Sequence, residues 1–247
     1  MIAELYALTH RGNVGDVAFY RELCRDAHSV LELGSGAGRL LIALADSRRR
    51  IVGLELDRKL LELAKRNLRS LPPARRKSVR ISAGDMRDFS LRERFDRVLL
   101  PYNALYCLLG KRQALACFRA ARRALAPGGI LALDVWNAGP FQDEHAQTQA
   151  FDPQPIVSLR HAGRTWDVFE RSRVRRARQR LDVSYTYVPR EGGSTYRIPI
   201  AQRYFSSAEI SALLERSGFA LAARYGDFAG RRFRPRSAQL IVLARAI

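Results

Sequence analysis

The chain has 247 residues, of which 47% are hydrophobic and 9% aromatic, so it is expected to fold around one large core rather than to be disordered. No apolar run approaches the ~20 residues of a membrane helix, and the first residues lack the apolar core of a signal peptide, which predicts a cytoplasmic protein. The formal net charge of +19 favours acidic partners such as nucleic acid or phosphate, but nearly all of it comes from Arg, a bias that a GC-rich genome also produces.

The first 28 residues predict a helix and a loop ahead of the first strand. Apolar side chains such as Phe19, Tyr20 and Leu23 alternate with charges over residues 16–26, which is typical of a packed helix. The preceding residues 9–13, THRGN, are expected to form a loop that either folds over a ligand or is an exposed connection.

Residues 30–45, VLELGSGAGRLLIALA, combine an apolar strand, a glycine turn and an amphipathic helix. The turn needs Gly34, Gly36 and Gly38, because a backbone without Cβ bends sharply and can lie against a ligand. The helix that follows presents free N–H groups to a polar or anionic group. This unit is typical of nucleotide-binding α/β domains, although its G-x-G-x-G spacing differs from the G-x-G-x-x-G of pyrophosphate-binding folds.

Strands and helices then alternate up to residue 136. Strands are predicted over 51–56, 79–82, 95–101 and 130–135, with helices over 58–71, capped by Asp57, and over 111–125. Pro72 and Pro73 are expected to end the first of these helices, and Pro127-Gly128-Gly129 to turn the chain into the last strand. This alternation predicts a parallel, doubly wound α/β sheet.

From Asn137 to Arg203 the helical periodicity disappears. Alternating patterns predict antiparallel strands over 164–176, 180–189 and 196–204, which we interpret as an insert beside the sheet. Ser206 and Glu209 form a capping-box sequence for a helix ending at Gly218, and two strands over 219–225 and 238–245 close the chain. The expected organisation is a core with an N-terminal helical cap (1–136), an antiparallel lid (137–203) and a completion of the core (204–247).

Four side chains near the predicted strand ends are candidates for binding a nucleotide-like ligand. Glu55, about twenty residues beyond the glycine turn, is placed to accept both ribose hydroxyls. Glu32 lies inside an apolar strand, where a carboxylate needs a partner, either a structural hydrogen bond or a ligand ammonium. Asp85 follows the third strand and is placed to accept from an exocyclic amine such as that of adenine, with Met86 against the ring or filling the core.

Five segments in order, LELGSGAGRL, GLELD, AGDMRDF, FDRVLLPYNAL and LAPGGILALDVWN, resemble the class I S-adenosylmethionine-dependent methyltransferases. The similarity covers residues 30–137 and resumes over 204–246. It implies a Rossmann-like, seven-stranded sheet with its last strand antiparallel, and S-adenosylmethionine as cofactor. The insert is similar in layout to the antiparallel lid of small-molecule N-methyltransferases that act on amino acids or amino sugars.

The resemblance also implies a set of cofactor-binding residues. The glycine turn and Glu32 would hold the methionine part, while the N-terminal segment would close over the cofactor and place Tyr6, Arg11 and Tyr20 near it. Arg39 is expected either to reach the cofactor carboxylate or to be an exposed helical side chain. The full set of implied cofactor residues is Glu32, Gly34, Gly36, Gly38, Glu55, Asp85, Met86, Leu100, Pro101, Tyr6, Arg11 and Tyr20.

The methyl acceptor is expected at the carboxyl ends of the strands, under the insert. Tyr102 and Asn103 are candidates for positioning an amine or hydroxyl, with Tyr106, Trp136 and Asn137 around them. The predicted function is methyl transfer to a small molecule, and the Arg-rich insert would attract an acidic one. The alternatives are an RNA or protein methyltransferase that uses the basic surface, and a module that binds the cofactor without turnover.

No metal site is expected. Cys24, Cys107 and Cys117 have no C-x-x-C spacing and are interpreted as reduced thiols. His145 and His161 lie too far apart in the sequence to suggest a metal pair. Nothing in the sequence determines the oligomeric state.

Overall fold

A computed structural model describes residues 1–142 and 148–247 of the chain. Its strands are β1 (Ser29–Leu33), β2 (Arg50–Glu55), β3 (Val79–Ala83), β4 (Phe95–Leu100), β5 (Leu125–Trp136), β6 (Thr148–Ala150), β7 (Gln154–His161), β8 (Arg164–Arg175), β9 (Arg180–Pro189), β10 (Tyr196–Arg203), β11 (Phe219–Tyr225) and β12 (Gln239–Ala246). Its α-helices are α1 (Ile2–Thr9), α2 (Asp16–Leu23), α3 (Arg39–Leu44), α4 (Arg58–Leu68), α5 (Pro73–Arg76), α6 (Lys111–Ala124), α7 (Gly139–Gln142) and α8 (Ser207–Glu215). Among these described residues, no helix is long and apolar enough to cross a membrane.

Seven strands form the central sheet, in the order β11-β12-β5-β4-β1-β2-β3. Strand β1 pairs in parallel with both β2 and β4, while β12 runs antiparallel to its neighbours β5 and β11. All five residues of β1 are buried. Val30 and Leu31 pack into different hydrophobic clusters, as expected for a parallel sheet covered on both faces. The predicted seven-stranded fold with an antiparallel last strand is confirmed.

Local signals set two of the helix starts. Asp57 caps α4, its carboxylate accepting from the Lys59 and Leu60 amides at 2.7 and 3.0 Å. At α8 the predicted capping box forms: Glu209 N–H donates to Ser206 Oγ, and Ser206 N–H donates to Glu209 Oε2. Such caps stabilise a helix because they satisfy amides that have no partner inside it.

The insert is a second, five-stranded antiparallel sheet in which β10, β9, β8 and β6 follow one another and β7 also pairs with β8. It packs against α1. Leu5 of α1 is completely buried in one cluster with Trp166, Val168 and Tyr187 of the insert. The other side of α1 is tied to the core, since Glu4 accepts from Arg66 of α4 at 2.7 Å. The N-terminal helix therefore joins the insert to the core.

Several predicted boundaries were wrong. Strand β5 begins at Leu125 rather than at Ile130, because the strand passes through Pro127-Gly128-Gly129 with an irregular register against β4. Helix α4 ends at Leu68, and Pro73 starts the short helix α5 instead of only ending its predecessor. Helix α2 also ends three residues earlier than predicted. Helices α1 and α7 and strands β6 and β7 were not predicted.

Candidate active site

A cavity of about 1110 Å³ lies at the carboxyl ends of β1, β2 and β3 and beside the segment that follows β4. Such a crevice is the usual ligand site of an open α/β sheet. Helix α1 and the loop after it form one of its walls. Of the predicted site residues, those that line it are Tyr6, Arg11, Glu32, Gly34, Gly36, Arg39, Glu55, Asp85, Met86, Pro101 and Tyr102.

The glycine turn is shaped by left-handed backbone angles. Gly34, Gly36 and Gly38 have φ of 71°, 55° and 80°, which L-residues with a Cβ rarely adopt. A Cβ on Gly36 would meet no atom of the other described residues within 4 Å, so this glycine borders open space in the cavity. Gly38 does not line the cavity. A Cβ there would lie 3.3 Å from the Cβ of Ala64, so this glycine allows α3 and α4 to pack closely.

Glu55 connects the end of β2 to the glycine turn. Its carboxylate accepts from the Gly36 amide at 2.7 Å and from the Asp57 amide at 2.8 Å. Burial raises the pKa of this carboxyl group, while the two amides lower it. The remaining lone pairs of its oxygens are available to hydroxyl donors in the cavity.

Glu32 is the least satisfied polar group at the site. Glu32 is only 3% exposed, and its Oε2 atom has no hydrogen-bond partner among the described residues. Burial raises the pKa of this carboxyl group to about 8, with the positive charge of Arg39 acting in the opposite direction. A buried oxygen without a partner is costly, so a cationic or N–H-bearing ligand would be favoured beside it.

This burial predicts how the ligand-free protein responds to pH. The pKa of Glu32 is about 8 in the folded state and near 4.5 when the side chain is exposed, so the unfolded state loses the proton first as pH rises. The free energy of unfolding is therefore expected to fall between pH ~4.5 and ~8. Glu32→Gln should make this fall smaller, with the rest due to Glu55 and to Asp134 of β5, whose pKa values burial also raises. Urea unfolding at several pH values measures the difference. Parallel pH dependences in the two proteins would contradict the assignment.

Asp85 and Met86 follow β3 and line the cavity, but Asp85 already has a partner. Both of its oxygens accept from Arg87 Nε at 2.9 Å, and one also accepts from the Arg87 amide. The hydrogen bonds from Arg87 hold the pKa of Asp85 below its usual range. Asp85 is thus a fixed carboxylate, with fewer free lone pairs than the sequence suggested.

A hydrogen-bonded network that the sequence did not reveal supports one wall of the cavity. Asp134, near the end of β5, is buried and accepts from the Tyr20 hydroxyl at 2.6 Å and from the Tyr102 amide at 3.0 Å. Burial raises the pKa of Asp134 to about 6. Next to it, Arg39 forms a bidentate pair with the buried Asp16, at 3.0 and 2.6 Å. Arg39 is therefore not a free helical side chain.

Some predicted site residues have structural positions instead. Tyr20 is completely buried and holds Asp134, and Leu100 is completely buried in the core, so neither lines the cavity. Asn103 Oδ1 accepts from the Trp136 amide at 2.7 Å, which ties the segment after β4 to β5. The Tyr106 hydroxyl donates to the Trp136 carbonyl at 2.8 Å. Tyr106, Trp136 and Asn137 do not line the cavity. Their polar groups instead form hydrogen bonds that hold the ends of strands together.

His10, in the loop that follows α1, is a cavity residue that the sequence analysis did not select. Its ring stacks on Tyr6 at 4.0 Å and meets the edge of Tyr185 from the insert at 4.7 Å. Its Nδ1 lies 2.9 Å from the Tyr6 carbonyl, so this nitrogen must carry the proton in the neutral ring. Nε2, without a hydrogen-bond partner in the described part of the chain, is then an acceptor. Burial lowers the pKa of His10, which keeps the ring neutral.

The described residues contain no group of three or more His, Cys, Asp or Glu side chains that is placed to hold a metal ion. His161 lies 3.6 Å from Glu4, away from the cavity lining. His145 lies outside the described residues.

The glycine turn and the strands around it lie in a segment that is similar to a known protein family. Residues 30–129 match the model of the methyltransferase domain family Methyltransf_25. A dTDP-3-amino-3,6-dideoxy-alpha-D-glucopyranose N,N-dimethyltransferase from Streptomyces fradiae is 32% identical over 143 residues, which are 55% of this chain and 53% of that protein. The match thus spans about half the length of this relative.

Two solved structures are similar over nearly their whole length. The CcbJ methyltransferase from Streptomyces caelestis is 26% identical with a TM-score of 0.80, covering 96% of this chain and 97% of that one. CalS10, an amino pentose methyltransferase from Micromonospora echinaspora solved with S-adenosylmethionine bound, is also 26% identical, with a TM-score of 0.70 and coverage of 99% and 96%.

Proposed function

We propose that this chain, which belongs to the class I S-adenosylmethionine-dependent methyltransferases, methylates an amine nitrogen of a small-molecule acceptor. The observation that carries the amine assignment is His10, a neutral imidazole at the cavity wall with Nε2 free to accept a proton. Two of the similar proteins are named for methylation of amino sugars, which agrees with this choice.

The residues at the strand ends fit the cofactor. Glu32 Oε2, buried without a partner among the described residues, suits the ammonium of the methionine part. The open space beside Gly36 accommodates a ligand lying along the turn, and Glu55 keeps lone pairs for the ribose hydroxyls. Asp85 and Met86 would border the adenine, and Arg11 and Tyr6 would cover the cofactor from the N-terminal side. When bound, the cofactor supplies a methyl group on a positively charged sulfur, ready for displacement.

The protein's contribution to the reaction is to position and deprotonate the amine. His10 Nε2 would take a proton from the bound ammonium, which frees the nitrogen lone pair to accept the methyl group that the cofactor would supply. Tyr102, which lines the same cavity, would orient the acceptor. The wall formed by α1 and the following loop would keep water away from the reacting atoms.

Methyl transfer to RNA or protein is less well supported. Two relatives are named as N,N-dimethyltransferases of dTDP-linked amino sugars and one as an N-terminal methyltransferase, so only the two sugar-directed names support the acceptor proposed here. A cytoplasmic location and an acidic acceptor both stay predictions from the sequence.

Turnover of labelled S-adenosylmethionine with matched amines, phenols and carboxylates tests the function. Label transfer to amino sugars, and not to the phenol or carboxylate of similar size, is the expected result. Transfer to an RNA transcript or a protein in preference to every small amine would overturn it.

Glu55→Ala is expected to weaken cofactor binding by roughly 1.5–3 kcal/mol, as for the loss of charge-assisted hydrogen bonds. Because Glu55 also accepts from the Gly36 and Asp57 amides, the variant should melt at a lower temperature as well. Calorimetric titration with S-adenosylmethionine measures the first effect. Glu55→Gln is the control, since it keeps a carbonyl acceptor but removes the charge. An unchanged affinity in both variants would exclude a ribose-binding role.

A further inference from the structure

Three arginines lie side by side across three adjacent strands of the insert. Arg180 of β9 is directly opposite Arg175 of β8 on one side and Arg203 of β10 on the other. Like charges in directly opposed positions of a sheet destabilise it. The row concentrates positive charge at one place on the insert.

The row borders a cavity of its own. This cavity of about 400 Å³ is lined by Arg175, Arg180 and Arg203, by Arg178 from the turn between β8 and β9, and by Leu109. Four of the five lining residues in the described part of the chain are thus arginines. Guanidinium groups present planar forks of N–H donors that match the oxygens of a phosphate, and they stay charged at any physiological pH.

The positive charge of this cavity is only partly neutralised. Asp182 pairs with Arg175 at 2.7 Å, and Glu209 lies 3.5 Å from Arg203. For Arg178 and Arg180 the described residues provide no acidic partner. Arg180, the central arginine of the row, is therefore available to bind an external anion.

One member of the row is held in place before any ligand arrives. The Arg203 guanidinium lies over the Phe205 ring, 4.7 Å from its centre, and donates to Gln179 Oε1 at 2.6 Å. Its side chain is only 12% exposed. A fixed guanidinium loses little conformational freedom on binding, which favours affinity.

Leu109 lines both this cavity and the 1110 Å³ cavity at the strand ends, so the two cavities lie next to each other. A ligand in the main cavity that extends past Leu109 would reach the arginine row. We propose that Arg175, Arg178, Arg180 and Arg203 bind a phosphate or diphosphate group carried by the methyl acceptor. This inference rests on the proposed function and adds the substrate class: a phosphorylated or nucleotide-linked amine.

The binding test uses inorganic pyrophosphate as the probe and calorimetry at low salt. Arg180→Gln is expected to weaken binding at least tenfold. Arg171→Gln is the matched control, since it removes the same charge from an exposed position of β8 outside the cavity, and it should change the affinity less than twofold. Equal weakening in both variants, or no saturable binding to the wild type, would overturn the proposal.

Thermal unfolding provides an independent readout. If Arg180 is repelled by its neighbours, Arg180→Gln should raise the melting temperature without pyrophosphate and reduce the rise that pyrophosphate gives the wild type. A lower melting temperature without pyrophosphate would mean that Arg180 is a structural side chain, and would contradict the proposal.

Turnover separates this inference from the proposed function. Arg180→Gln is expected to raise KM for a phosphorylated amino sugar at least tenfold, leaving both KM for the unphosphorylated amino sugar and the affinity for S-adenosylmethionine unchanged. If both amines are methylated equally by the wild type and the variant, the phosphate site is wrong and the methyltransferase assignment stands. If an RNA oligonucleotide binds instead, and Arg171→Gln and Arg180→Gln weaken it alike, the basic surface is nonspecific and the proposal falls.

Discussion

Gly36→Val is expected to abolish binding of S-adenosylmethionine while leaving the protein folded. The reason is geometric: a side chain on Gly36 would extend into the cavity, where its Cβ has no described residue within 4 Å apart from its own chain neighbours. The φ of 55° adds a cost of about 1–2 kcal/mol for a residue with a Cβ, and somewhat more for a β-branched one. Calorimetry should detect no binding at ligand concentrations a hundredfold above the wild-type Kd, while circular dichroism still shows a cooperative melt.

Gly128→Val is the matched control for this prediction. Gly128 also has a left-handed φ, 73°, and a Cβ there would also meet no atom within 4 Å, but it lies in β5 away from the cavity. The two variants should therefore lose similar stability, and Gly128→Val should bind the cofactor normally. Wild-type affinity in Gly36→Val, or equal loss of affinity in both variants, would show that the turn does not border the cofactor.

The core of the fold could be predicted because each of its segments carries a local signal. The buried strand before Gly34, the cap at Asp57 and the capping box at Ser206 each predict their own element from a few neighbouring residues. The order of these elements then leaves few possible arrangements, since parallel strands joined by helices form right-handed crossovers. Glu55 was also predictable, because its distance from the glycine turn places it at the end of β2.

The cavity walls could not be predicted in the same way, because they depend on contacts between distant parts of the chain. Asp134 binds Tyr20, 114 positions away, and Asn103 binds the Trp136 amide. A tyrosine in a helix and an asparagine in a loop look alike in sequence whether they contact a ligand or a strand end. The insert strand β7 was missed for another reason: it is exposed along most of its length, so its pattern lacks a buried face.

His10 could not be predicted for the same reason, since its surroundings are formed by Tyr6 of α1 and by Tyr185 of the insert. His10→Gln is expected to lower kcat about 100-fold near neutral pH, as for the loss of a general base, with the Kd for S-adenosylmethionine within twofold of the wild type. His161→Gln is the control, because it removes a half-buried histidine outside the cavity lining. Equal kcat in all three proteins would remove His10 from the mechanism.

The pH dependence distinguishes a proton acceptor from a packing residue. The groups that face His10 are Tyr6, Tyr102 and Tyr185, with the Arg39–Asp16 pair behind Tyr102 and Glu170 behind Tyr185. Burial lowers the pKa of His10, so the ring accepts a proton from a bound ammonium down to a pH below the usual range of histidine. The wild-type kcat/KM should therefore stay level from the pKa of the acceptor amine down to the pKa of His10, and fall only below it.

When His10 is replaced by Gln, no side chain takes the proton, so the rate depends on the fraction of the substrate amine that is already deprotonated in solution. For His10→Gln, kcat/KM should fall by about one log unit per pH unit from the pKa of the amine downwards, with no level region. The gap between the two proteins then widens as pH decreases, which a purely structural change would not produce. A constant ratio of kcat/KM across the whole pH range would show that His10 positions the neighbouring aromatic rings but does not accept the proton.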